Sequence, residues 1–142
     1  MSVVNEIAHL LNVGLILPVR IATAQPSFAA DYNMLIAHGL GSENPKDKNH
    51  LKDRWVDLIG EGSMLTKRNV TNVSYTARGH GNCHGWEDSA ESNPLQFTWR
   101  FLSNDMLALA DHYSLQNVVT SGSSMGAGAA YHGHLQLFTS CL

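Results

Sequence analysis

Ser124 is centred in Gly122-Ser123-Ser124-Met125-Gly126, a GxSxG pattern that follows the strand-like run Asn117 to Ser121 and precedes the small-residue run Ala127 to Ala130. A serine hydroxyl is a weak nucleophile at neutral pH, so using one requires a histidine within hydrogen-bond reach and a carboxylate to orient that histidine. The pattern supplies the presentation. A tight strand-to-helix reversal would push the hydroxyl outward, and a side chain at Gly122 or Gly126 would crowd that reversal. A helix starting near Met125 would also aim unpaired backbone amides at negative charge developing beside the hydroxyl. Ser123 competes on chemical grounds, but only Ser124 lies midway between the two glycines.

Two further glycine turns follow strand-like runs. Tyr32 to Ala37 reads as a short buried strand and leads directly into His38-Gly39-Leu40-Gly41-Ser42, where Gly39 and Gly41 permit a tight turn with backbone amides exposed to an anion. Val70 to Ala77 reads as a second buried strand, rich in the β-favouring Val73, Tyr75 and Thr76, and ends at Arg78-Gly79-His80-Gly81.

Between these strands the sequence predicts helices. Asn44 to Lys52 is polar and carries Pro45, as a loop would, and Leu51, Trp55, Leu58 and Ile59 then follow helical spacing. A second helix is marked by Asn93 as cap, Pro94 at its first position and Gln96 where a capping box needs it. Along it Leu95, Trp99, Leu102, Met106, Leu109 and Tyr113 recur at spacings of four and three, which predicts a core-facing stripe, with Arg100, Asn104, Asp105 and Asp111 pointing mostly elsewhere. Strands alternating with helices predict an α/β fold with a mostly parallel sheet flanked by helices.

Composition narrows the function classes. The chain has 142 residues and 44% apolar content, enough for one domain or part of one with a real core. Nine Lys and Arg against 12 Asp and Glu give a net charge of −3, and no cationic cluster exceeds Lys67-Arg68, so nucleic acid is not an expected partner. Cys83 and Cys141 form no CxxC, as expected for free thiols in the reducing cytoplasm. The apolar run Ile7 to Val19, followed by Ala22-Thr23-Ala24, faintly suggests a cleavable leader, yet no Lys or Arg precedes it and Asn12 interrupts it. It is also shorter than the roughly 20 residues of a membrane span.

With the three glycine turns in place, the chain from about Tyr32 to Tyr131 resembles the α/β-hydrolase family. His38-Gly39-Leu40-Gly41 is similar to the family's HGxG oxyanion loop, Arg78-Gly79-His80-Gly81 to its RGHG turn, and Gly122 to Gly126 to its nucleophile elbow, in the family's order and spacing. The resemblance implies Ser124 as nucleophile and an oxyanion hole from the backbone amides of Met125 and Leu40. It implies structural work for His38 and His80, the first steadying its loop. A serine at the elbow favours acyl transfer to water from an ester, thioester or lactone, and disfavours the epoxide and haloalkane chemistry that needs a carboxylate nucleophile. No cofactor or metal is implied.

The chain departs from the family after the elbow. Family members place the triad acid and then the histidine on later strands, whereas no Asp or Glu follows Ser124 here and the following histidines are His132 and His134. At ~1.5 Å per residue, His132 would lie roughly 12 Å along the helix from the nucleophile, beyond the reach of a general base. The sequence therefore predicts three stretches: an N-terminal segment over 1–30 leading into the sheet, the N-terminal portion of an α/β-hydrolase domain over 31–131, and an atypical tail over 132–142. The C-terminal strands would be missing, since a typical member continues for about 100 residues or more. The expectation is a truncated hydrolase inactive alone, or a noncatalytic fragment or splice form that self-associates through an exposed sheet edge. A small acyl substrate would apply once the fold is completed. A zinc site from His80, Cys83 and His84 with Asp88 nearby is the remaining alternative.

Overall fold

The computed structural model describes residues 2–23, 30–40, 69–81, 83–84 and 94–139. The predicted helix around Leu51 to Ile59, together with Gly41, Asp88 and Asn93, lies outside the described residues.

Among the described residues five strands form one sheet in the order β1-β2-β4-β3-β5. The first two, β1 (Ser2–Leu10) and β2 (Leu15–Thr23), make an antiparallel hairpin, so the apolar run that faintly suggested a leader lies largely in sheet. In β2, Leu15, Leu17 and Val19 are buried at every second position, the period-2 pattern of a strand with one face on the core. β2 pairs antiparallel with β4 (Val70–Tyr75), which pairs parallel with β3 (Tyr32–Ala37), and β3 pairs parallel with β5 (Val118–Gly122). The parallel trio matches the sequence expectation, while the hairpin adds an antiparallel edge. β4 is buried along its whole length, as parallel strands covered on both faces are.

Among the described residues two α-helices lie against the sheet: α1 (Trp99–His112) between β4 and β5, and α2 (Met125–Thr139) after β5. Leu102, Met106 and Leu109 of α1 join Leu17, Val19, Leu35, Val73 and Tyr75 in the core. α2 runs unbroken through positions 131 and 132.

α1 differs from the sequence expectation at two points. Pro94–Phe97 forms a separate 3-10 turn, and the helix proper begins after Thr98, an extended residue at φ −75°, ψ 157°. The capping box expected between Asn93 and Gln96 falls on a residue outside the described ones; Gln96 Oε1 accepts from Arg78 Nη1 at 3.4 Å, which links the lead-in to the β4 exit. The second point is the polarity of the faces. The spacing points Asp105 away from the stripe, yet it is 1% exposed, whereas Trp99, which the spacing places in the stripe, is 50% exposed. Position 105 sits three after Leu102 and four before Leu109, so it shares their face once Arg78 is there to receive it.

Candidate active site

Parallel pairing gathers the three glycine turns at one edge. Ala37 is in register with both Tyr75 and Gly122, so β3, β4 and β5 end level with one another and release their following loops on the same side. Carboxyl ends of parallel strands are where open α/β sheets bind ligands.

Ser124 occupies the turn between β5 and α2 with φ +51°, the left-handed region that non-glycine residues rarely adopt. Steric pressure around the turn explains the flanking glycines. A Cβ on Gly122 would come 2.3 Å from the carbonyl carbon of Gly126, and one on Gly126 would come 2.2 Å from the carbonyl oxygen of Ala37. Both obstacles are backbone, which cannot swing aside. The turn is tied down by Ser123 N–H donating to Ala37 O at 3.3 Å and by Gly126 N–H donating to Ser123 O at 2.8 Å. Ala127 and Gly128 N–H both donate to Ser124 O, at 3.0 and 3.2 Å. Among the described residues the N–H of Met125, first in the helix, donates no hydrogen bond.

The loop after β3 closes on this turn. A Cβ on Gly39 would lie 3.3 Å from Ser124 Cβ and 3.3 Å from Ser123 Oγ, so its backbone passes tightly over the serines. His38, 2% exposed, braces the loop from beneath. Its Nε2 accepts from Ala77 N–H at 2.9 Å, which leaves the proton on Nδ1 to donate to Gly39 O at 2.8 Å. Leu40 follows, and with Phe97, Trp99, Ser124 and Met125 it lines an open cavity of about 600 Å³.

Beneath the β4 exit lies a buried ion pair. Arg78 Nε and Nη2 donate to Asp105 Oδ2 and Oδ1 at 2.6 and 2.5 Å, with the side chains 5% and 1% exposed. Burial pushes the Asp105 carboxyl up from its ordinary range, against the opposing pull of Arg78. The guanidinium also lies 5.1 Å from the Phe101 ring centroid. His80 stands edge-on to His38 with ring centroids 4.9 Å apart, and its Nδ1 pairs with Arg78 O at 3.0 Å.

The other titratable residues of interest are placed elsewhere. His132 Nδ1 pairs with Ser103 Oγ at 3.2 Å, turned toward α1, and His134 is exposed along the outer side of β5. Cys83 is buried and in no disulfide, and His84 forms an isolated antiparallel bridge with Ile16. Among the described residues no group of three or more His, Cys, Asp or Glu could hold a metal ion, and no helix is long and apolar enough to cross a membrane.

Sequence reasoning missed two contributors. The sequence places Trp99 in the packing stripe and gives Phe97 no role, yet both wall the cavity; the available signal is Gly128, a glycine inside a helix that leaves room for a ring. The Arg78–Asp105 pair was signalled by a lone Asp on an otherwise apolar face three residues after Leu102.

No family model and no curated protein matches the sequence. Solved structures do match its fold. The epoxide hydrolase VrEH1 from Vigna radiata superposes with a TM-score of 0.63 at 17% identity, over 94% of this chain and 36% of that one. A predicted CIB-like hydrolase from Thermoplasma acidophilum superposes with a TM-score of 0.65 at 14% identity, over 96% of this chain and 57% of that one. The chain thus spans between about a third and three-fifths of the length of these structures. With its strand order, level strand ends and turn at Ser124, the chain carries part of the α/β-hydrolase fold.

Proposed function

We propose that the chain is the nucleophile-bearing portion of a serine hydrolase that cleaves an ester, thioester or lactone through an acyl-enzyme intermediate. One observation carries this reading: Ser124, at φ +51° on a turn built by close-packed glycines, opens onto a cavity shared with Leu40 and Met125. Ser124 Oγ attacks the acyl carbonyl, and the oxyanion is received by the amides of Met125 and Leu40. Loss of one such donor costs about 3 kcal/mol of transition-state stabilisation. The likeness to an epoxide hydrolase concerns fold, and a serine at position 124 favours acyl chemistry.

The reaction needs a base and an orienting acid. His38 has both ring nitrogens engaged, His132 faces Ser103, and Asp105 is committed to Arg78. In this proposal the triad histidine and carboxylate come from outside these 142 residues, so the chain alone hydrolyses short acyl esters no faster than buffer. The test supplies a surrogate base. With added imidazole, an alkyl fluorophosphonate should modify Ser124 in preference to Ser103, Ser121 and Ser123, as mapped by mass spectrometry, and the adduct should vanish in Ser124→Ala. Modification spread evenly over these serines, or unchanged in the variant, would refute the assignment.

A second reading, a strand-pairing module that self-associates, is favoured by β5. It pairs with β3 on one side, and among the described residues no strand pairs with the other. Val119 there is 47% exposed, and a cavity of about 510 Å³ lined by Val119, Ser121, Ala130, Tyr131 and His134 runs along that edge.

A further inference from the structure

The aromatic residues beside Ser124 sit where they do because two glycines make room for them. A Cβ on Gly79 would fall 2.4 Å from the Phe97 ring, and one on Gly128 would fall 2.7 Å from the Trp99 ring. Phe97 therefore lies directly on the β4 exit turn, and Trp99 lies flat on the first turns of α2, one helical turn beyond the nucleophile. The two rings, with Leu40 and Met125, line the cavity beside Ser124, which carries the one hydroxyl among the described lining residues. Leu40, Phe97 and Trp99 are 74%, 40% and 50% exposed, an apolar surface grouped around a single hydroxyl. Arg78 of the β4 exit is spent on Asp105 and Gln96 and offers no fork to an anionic substrate, and the exposed Arg100 is not among the described residues that line the cavity.

We propose that Phe97 and Trp99, seated on Gly79 and Gly128, form an acyl pocket that selects an uncharged, apolar acyl chain of several carbons. This deepens the assignment of Ser124 as acyl acceptor and rests on it. A chain lying on the two rings removes apolar area from water on both sides, whereas an acyl group ending in a carboxylate would lose its hydration with no cation among the described lining residues to replace it. Gly128 is the determinant of depth, because any side chain there would lift the indole off the helix.

The test measures binding of methyl acetate, butanoate, hexanoate and octanoate to the intact chain by saturation-transfer NMR, with monomethyl succinate as the charged comparison. Affinity should rise by up to about fourfold per added methylene, and the succinate ester should gain nothing from its extra carbons. Trp99→Ala should flatten the series. Gly128→Ala should weaken the longest ester most while leaving the fold intact, since alanine is the better helix former and the obstacle is a movable ring. A flat series in the unmodified chain, or a series untouched by both variants, would overturn the pocket. Fluorophosphonate mapping reports the nucleophile separately: adducts at Ser124 with a flat series remove only the pocket, and a steep series without adducts removes the acyl-transfer assignment.

Discussion

Ser124 stores strain in the backbone. Positive φ costs a non-glycine residue about 1–2 kcal/mol, and the surrounding hydrogen bonds to Ala37, Ser123 and Ser124 carbonyls hold the residue there regardless. Such outliers cluster at working sites, where a displaced hydroxyl is the gain. Ser124→Gly should therefore stabilise the chain by up to ~1 kcal/mol, because relief of the left-handed strain exceeds the ~0.4–1 kcal/mol that glycine loses through unfolded-state entropy. Denaturant midpoints of the two proteins check this. Equal or lower stability of the glycine variant would mean that the turn is not strained in solution.

At the scale of elements, α1 is held to the β4 exit by the Arg78–Asp105 pair more than by its own cap, since Thr98 makes no side-chain cap bond. The pair fixes the lead-in that carries Phe97 and Trp99. Removing one partner leaves the other charge buried, a cost of about 3–5 kcal/mol. Asp105→Ala should lower unfolding free energy by that amount, a large share of the roughly 5–15 kcal/mol of a small domain. Arg78→Met combined with Asp105→Leu should lose much less, because both charges leave the interior together. Urea denaturation of the single and double variants distinguishes a net electrostatic anchor from a merely compensated pair. Met106 and Leu109 were placed by periodicity alone, whereas Asp105 needed a partner from another strand exit to bring it inside. Trp99 went the other way because α2, a neighbour distant in sequence, offered a bare glycine to cover.

For the whole molecule, the sheet of the described residues ends at one side in β1 and at the other in β5. An edge strand presents a row of unpaired backbone groups that invites pairing with another chain, and a lysine on that edge opposes it. If β5 pairs with β5 of a second copy, sedimentation at rising concentration should show a dimer, and Val119→Lys should shift the population to monomer without changing the melting transition. A monomer at all concentrations, or a dimer indifferent to the lysine, would exclude this edge as the contact.

The sequence by itself determined what is local. Strands β3, β4 and β5 were marked by β-branched and aromatic runs, their ends by glycine turns, and the position of Ser124 by two glycines whose spacing only a sharp reversal explains. These features depend on neighbours within a few residues, so patterns of type and period reveal them. Tertiary structure decided the rest. The hairpin of β1 and β2 became visible only as a pairing between segments, because an apolar run reads alike as leader, helix or strand. Level strand ends brought Gly39 over Ser124, and two glycines far apart in sequence seated Phe97 and Trp99 beside it. Those contacts join residues separated by tens of positions, and only the packed sheet and helices bring them together.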